Sequence, residues 1–164
     1  MNSGDPNEFI GYADSDWGRD IDCHRSISGY VFLLGDSVFS WSSKQQPTVA
    51  ASATEGEYMS GSHSARQGLW LRRMLIEIGL ELEDISTTIF IDNRGAIDLS
   101  KDTRYQQRTK HIDIQHHFIR ERVEDGTFEI IHCPSHLMLA DGLTKPLPRD
   151  SFTKMVDGIG LISY

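Results

Sequence analysis

The stretch FIGYADSDWGRDIDCHRSISGYVFLLGDSVFSWSSK, residues 9–44, decides the fold class. Its first nine residues alternate, with Ile10, Tyr12, Asp14 and Asp16 on one face and Phe9, Gly11, Ala13, Ser15 and Trp17 on the other, which is the period of a strand. After the polar GRDIDCHRS segment come two apolar runs, SGYVFLLG and SVFSWSSK. The GDS between them is turn chemistry that joins them as an antiparallel hairpin. Three strands therefore precede any helix.

Further along, residues 52–79 read as a long amphipathic helix closed by Gly79, a residue suited to a C-cap. TTIFID reads as a fourth strand and RGAIDLSK as a short helix. Residues 109–125 form a second, basic helix stopped by Gly126, and TFEIIHCP is a fifth strand ending before Pro134. A last short helix is expected over residues 139–144. The connections between the first, fourth and fifth strands are long enough for parallel pairing, so the fold class is α/β with a mixed sheet.

At 164 residues, 38% of them hydrophobic, the chain suits one domain with a sizeable core. We expect a linker over 1–8, the domain over 9–149 and an extension over 150–164. No apolar run approaches the roughly 18 residues of a membrane span, and MNSGDPNEF has no signal-peptide character. The expectation is a soluble intracellular protein with no membrane partner. Cys23 and Cys133 match no paired CxxC pattern and read as free thiols. Zinc binding through them with His132 and His136 is disfavoured, because Pro134 lies between the histidines and no second paired motif exists. Trp41 and Trp70 are expected in the core rather than as base-stacking platforms.

A net charge of −8 argues at first against a nucleic-acid partner. Its distribution argues the other way. Between positions 94 and 122, seven Lys and Arg face four Asp and Glu, with His111, His116 and His117 among them. On charge alone a solvated helix face is the favoured reading.

Four segments end an apolar stretch on a carboxylate: FIGYADSDW, SATEGEY, TTIFIDN and HLMLADGLTK. Their acids are Asp14 or Asp16, Glu57 or Glu55, Asp92, and Asp141. A cluster of hard oxygen ligands is what Mg²⁺ requires. Helical phase separates the glutamates, since Glu57 lies in line with Gly61, Ser64, Gly68, Leu71 and Leu75 while Glu55 points away. Glu55 is better explained by a capping box with Ser52. Periodicity leaves Asp14 and Asp16 open. Asp92 ends the face opposite Ile89 and Ile91, at the carboxyl edge where ligands bind open α/β sheets.

YADSDWGRD, RSISGYVFLLG, SWSSKQQPTVAASATEGEYM, WLRRML, FIDNRGAI, RTKHIDIQHHFIRE and LADGLTKPLP together resemble the ribonuclease H domain of copia-type (Pseudoviridae) retrotransposon Pol polyproteins. The resemblance runs over about residues 9–149. It implies an RNase H-like fold with strands ordered 3-2-1-4-5 and helices on both faces. It also implies two Mg²⁺ ions, which Mn²⁺ can replace, and hydrolysis of the RNA strand of an RNA/DNA hybrid. By motif it selects Asp14, Glu57, Asp92 and Asp141 as metal-binding and catalytic residues, with Asp14 bridging the ions. A reverse transcriptase domain preceding this one, and residence in cytoplasmic virus-like particles, follow from the same resemblance. Two departures stand out: no Gly-His precedes the last acid, leaving His136 as the candidate for a release role, and Met138 stands where relatives often have Asn.

For the hybrid itself, Ser52, Thr54, Asn93, Arg94, Lys110, His111 and Arg120 are the candidate contacts. Ser52, Thr54 and Asn93 adjoin the acids and suit ribose 2′-hydroxyls, with capping and turn roles as the alternative. A noncatalytic RNase H-like binding module and a metal-dependent DNA nuclease or integrase-like enzyme on the same fold are the rival classes.

Overall fold

The computed structural model describes residues 5–17, 24–82, 84–101 and 110–161, without the side chains of 110–116. Five strands, β1 (Phe9–Asp16), β2 (Ile27–Leu34), β3 (Ser37–Gln45), β4 (Thr87–Ile91) and β5 (Phe128–His132), form one sheet in the order β3-β2-β1-β4-β5. β1 runs antiparallel to β2 and β2 to β3, whereas β4 is parallel to both β1 and β5. This is the mixed sheet and strand order expected from the sequence. The hairpin turn falls at Gly35, whose φ of +58° is the left-handed conformation that a glycine adopts without strain.

The long helix α1 (Ala53–Glu77) lies against one face of the sheet. Glu57, Gly61, Ser64, Gly68, Leu71 and Leu75 are all buried, so the stripe read from helical phase is the packed face. Two glycines in it set the closeness of helix and sheet. A Cβ at Gly61 would lie 2.8 Å from Cδ1 of Ile91, and one at Gly68 would lie 2.8 Å from Cζ of Phe32. Phe9, Ala13, Phe32, Ile89, Ile91 and Ile130 fill that side, with Ile119 from α3 (Lys110–Glu124). Helix α2 (Arg94–Lys101) contributes Ala96 and Ile97.

On the opposite face, Tyr12 and Phe90 pack against Cys133, Met138 and Ala140. The single helix expected over 139–144 is replaced by two 3₁₀ turns, Ser135–Leu137 and Asp141–Leu143, separated by an extended Met138. Pro134 and Pro146 bracket the segment and Met138 turns its side chain into the sheet, which leaves no room for a continuous α-helical turn. Helix α4 (Arg149–Gly158), not anticipated from the sequence, packs Met155 over Gly142 and lies under Leu139 at Gly158. Ile159 then accepts a hydrogen bond from the Val38 amide at the sheet edge.

The expected burial of two tryptophans is corrected. Trp41 is 65% and Trp70 58% exposed. Trp41 sits on the edge strand and on the face away from α1, while Trp70 is one residue out of phase with the buried Leu71. Cys133 is a buried free thiol; Cys23 lies outside the described residues. Among the described residues no helix is long and apolar enough to cross a membrane.

Candidate metal centre

Asp14 lies on β1 opposite Gly29 of β2, and the absence of a side chain at Gly29 lets the second 3₁₀ turn approach. A Cβ there would lie 2.7 Å from Cγ2 of Thr144 and 3.0 Å from Leu143. That turn begins with Asp141. Asp92 follows β4 directly, at the carboxyl edge of the parallel strands. One carboxylate oxygen from each of Asp14, Asp92 and Asp141 lies within 4.8 Å of the other two. Three acids 78 and 49 positions apart in the chain thus converge on one point.

The Asp14 and Asp16 alternatives separate by their partners. Asp16 Oδ1 accepts the amide of Ile27, its partner across β1 and β2, whereas Asp14 joins the cluster. Glu57, expected as a fourth ligand, is close to the cluster but outside this set. Its Oε1 accepts the Ser15 amide at 3.0 Å and the Ser15 hydroxyl at 3.2 Å, and its buried Oε2 has no hydrogen-bond partner. Glu55 caps the helix: Ser52 Oγ accepts from the Glu55 amide, and Glu55 Oε2 accepts from Ala51 rather than from Ser52 itself. The phase argument holds, whereas only the Ser52 half of the capping box forms and Glu55 reaches one residue past the cap.

Concentrated negative charge leaves its mark on the pKa values. Burial, then the charges of Asp14 and Asp92, push Glu57 up to about 9. Burial also raises Asp14 to about 6, with Asp141 and Asp92 adding to the rise and Thr144 and Lys145 opposing it. Cys133 is raised to about 11 by burial and by Asp92 and Asp141. Groups whose pKa is raised by burial first, and by neighbouring negative charge second, are what a bound cation would ionise. Hard carboxylate oxygens within reach of one ion, together with the unpartnered Glu57 Oε2, suit a divalent metal such as Mg²⁺.

Thr144, Lys145 and Ser135 belong to the site and were missed in the sequence. Thr144 donates its hydroxyl to Asp14 Oδ2, and Lys145 Nζ lies 2.9 Å from Asp141 Oδ1. Their spacing in DGLTK, three and four residues after Asp141, is the signal, because such positions return to the same side of a helical turn. Ser135 donates to Asp92 Oδ2 at 2.9 Å. His136, next in the chain, is exposed beside it. Of the hybrid-contact candidates, Ser52 and Asn93 act as caps, Asn93 Oδ1 accepting from Ala96. Thr54 lies against Gly95, Arg94 is exposed and Arg120 is half-buried. The side chains of Lys110 and His111 lie outside the described residues.

A mixed sheet in this order, with acids converging at its carboxyl edge, defines a ribonuclease H fold. The chain's homologues are retrovirus-related Pol polyproteins of plant copia-type transposons. It is 39% identical over 93% of its length to the Pol polyprotein of transposon TNT 1-94 of Nicotiana tabacum, and 38% over 99% to that of transposon RE2 of Arabidopsis thaliana. The chain spans 11% of each of these relatives. No protein-family model matches it. Among solved structures, LC11-RNase H1 isolated from compost superposes with a TM-score of 0.57 at 17% identity, covering 84% of this chain and 93% of that one. The foamy viral protease-reverse transcriptase, solved in complex with RNA/DNA hybrid, superposes with a TM-score of 0.55 at 15% identity over 90% of this chain and 20% of that one.

Proposed function

We propose that this chain is a ribonuclease H that cuts the RNA strand of RNA/DNA hybrids formed during reverse transcription of a retrotransposon. The observation that carries the proposal is the convergence of Asp14, Asp92 and Asp141 within 4.8 Å at the sheet edge. Glu57 completes the set by turning its carboxylate from Ser15, and its unpartnered Oε2 gives it reason to do so. When bound there, Mg²⁺ or Mn²⁺ supplies Lewis-acid chemistry, activating water toward phosphorus and stabilising charge on the leaving 3′ oxygen. The products then carry 5′-phosphate and 3′-hydroxyl ends.

The protein's own residues do the positioning. Thr144 fixes the Asp14 carboxylate through its hydroxyl and Ser135 fixes Asp92, while Lys145 pairs with Asp141 in the metal-free site. Such supporting partners keep ligands within the narrow geometry that metal chemistry needs. Ser52, Thr54 and Asn93 line the adjoining helix starts, where hydroxyl and amide groups suit ribose 2′-hydroxyls. A nucleic-acid partner held this way fits a domain of a longer Pol polyprotein, in which a reverse transcriptase adds grip and the site of action is the cytoplasmic virus-like particle.

The test is a hybrid with each strand labelled separately, incubated with and without Mg²⁺. RNA-strand cleavage that needs metal and Asp92 supports the proposal. Cleavage of duplex DNA instead makes the chain a DNA nuclease, and binding without cleavage makes it a recognition module.

A further inference from the structure

Between α1 and the ends of β2 and β3 lies a second feature, a cleft of about 170 Å³ lined by Lys44, Arg66, His63, Gln46, Ser28 and Ser62 among others. None of its lining residues is acidic, in a chain with 24 Asp and Glu. Among the described residues, Lys44 and Arg66 form no ion pair. Arg66 stacks its guanidinium over the Phe118 ring at 5.4 Å, which holds the plane in place and leaves the N–H edge available. Both cations are solvent-exposed, so their charge is offered to a ligand rather than spent on the fold.

The floor of the cleft is rigid and tied to the metal centre. Gln46 is buried, and its Nε2 donates to Ser28 Oγ and to the Gly56 carbonyl, each at 2.9 Å. Gly56 precedes Glu57, and Ser28 pairs across the sheet with Ser15, the residue that holds Glu57. Ser15, the neighbour of Asp14, pairs with Ser28, which pairs with Lys44, so the Lys44 backbone lies two strand spacings, or roughly 10 Å, from that of the residue that holds Glu57. On a nucleic-acid strand rising on the order of 3.4 Å per nucleotide, that is about three nucleotides.

We propose that this cleft is a backbone-phosphate subsite, in which Lys44 and Arg66 hold a phosphodiester of the strand leaving the metal centre about three nucleotides from the bond to be cut. The subsite rests on the ribonuclease H reading and extends it. An Arg fork and a Lys point charge over a hydroxyl-lined floor are the chemistry of phosphate recognition. The local field is positive enough to be felt: burial lowers the His63 pKa, and the charges of Lys44 and Arg66 lower it further. In a chain of net charge −8, such a patch draws a polyanion to one path across the surface.

The experiment measures hybrid affinity against salt in an Asp92→Asn background, which prevents cutting. Lys44→Gln/Arg66→Gln should reduce the slope of log affinity against log salt by about 1–2, the count of lost phosphate contacts, and Lys154→Gln should leave it unchanged. Shortening the hybrid from the end that reaches the cleft should erase the difference between the double variant and its parent once fewer than about three nucleotides remain beyond the scissile bond. Equal slopes, or a difference that persists on the shortened hybrid, would overturn the subsite. So would competition by inorganic phosphate that the double variant abolishes while its hybrid slope stays unchanged, which would mark a free-anion site. These outcomes leave the ribonuclease H reading standing, whereas a parent chain that binds no hybrid removes both.

Discussion

Lys145 Nζ sits 2.9 Å from Asp141 Oδ1, one helical turn along the same segment, and 3.9 Å from Asp14 Oδ2. An ammonium therefore lies among the carboxylates that a metal would occupy. Burial alone would lower its pKa, but the bond to Asp141 and the charges of Asp14, Asp141 and Asp92 raise it above the ordinary value. Without metal it relieves repulsion, and with metal it competes. Lys145→Met should therefore lower stability in EDTA by about 1 kcal/mol and enlarge the rise in melting temperature on adding Mg²⁺. Thermal melts of both proteins with and without Mg²⁺ check this, and an unchanged metal-induced rise would refute the competition.

The two glycines under α1 differ in what they face. A Cβ at Gly61 meets the terminal methyl of Ile91, which can rotate, while one at Gly68 meets the ring of Phe32, itself stacked on Phe9 at 5.1 Å. Replacing a mid-helix glycine with alanine gains about 1 kcal/mol in helix propensity. Gly61→Ala should come out near neutral. Gly68→Ala should lose about 1–3 kcal/mol from overpacking, read as a lower urea midpoint.

Much of this was legible in the chain because burial imposes periodicity. The stripe from Glu57 to Leu75 and the strand pattern around Asp14 are the two periods of helix and sheet, and both match the structure. Periodicity cannot split Asp14 from Asp16, since residues two apart on a strand share a face. Their partners, Thr144 at one and Ile27 at the other, come from segments distant in sequence or across a hairpin. The 3₁₀ turns were misread because prolines and a buried Met138 override the local helical pattern. Trp41 was misread because size suggests burial, whereas an edge strand has only one neighbouring strand to help cover it.

Acids with raised pKa values make a prediction about pH. In the metal-free protein, Asp14 and Glu57 bind protons up to about pH 6 and 9, above their unfolded values near 4. The native state then holds more protons than the unfolded one across that window, so these groups contribute full stability below about pH 4 and lose it as pH rises through 6 and on through 9. Melting temperature in EDTA should therefore fall from pH 5 to pH 9, and Glu57→Gln should flatten the upper part of that fall. Excess Mg²⁺ should reverse the trend, since it favours the ionised cluster. An identical pH profile for Glu57→Gln and the parent chain would show that this carboxyl does not carry a raised pKa.

Asp14 and Asp16 make the sharpest contrast, because they share a strand and a face but not a role. Asp14→Asn removes a charge from a buried cluster in which Asp92 and Asp141 repel it, and the amide keeps an oxygen for the Thr144 hydroxyl. The variant should fold, melt no lower than the parent chain in EDTA, and lose more than about 100-fold in hybrid cleavage, beyond the cost of removing an outer-shell partner. Asp16→Asn keeps an acceptor for the Ile27 amide and leaves the three-acid cluster intact. Cleavage should then stay within about 10-fold of the parent chain, with any loss read as displacement of β2 rather than of a ligand. Circular dichroism, melts in EDTA and single-turnover cleavage of a labelled hybrid separate the two variants, and a dead Asp16→Asn beside an active Asp14→Asn would move the metal centre one step along β1.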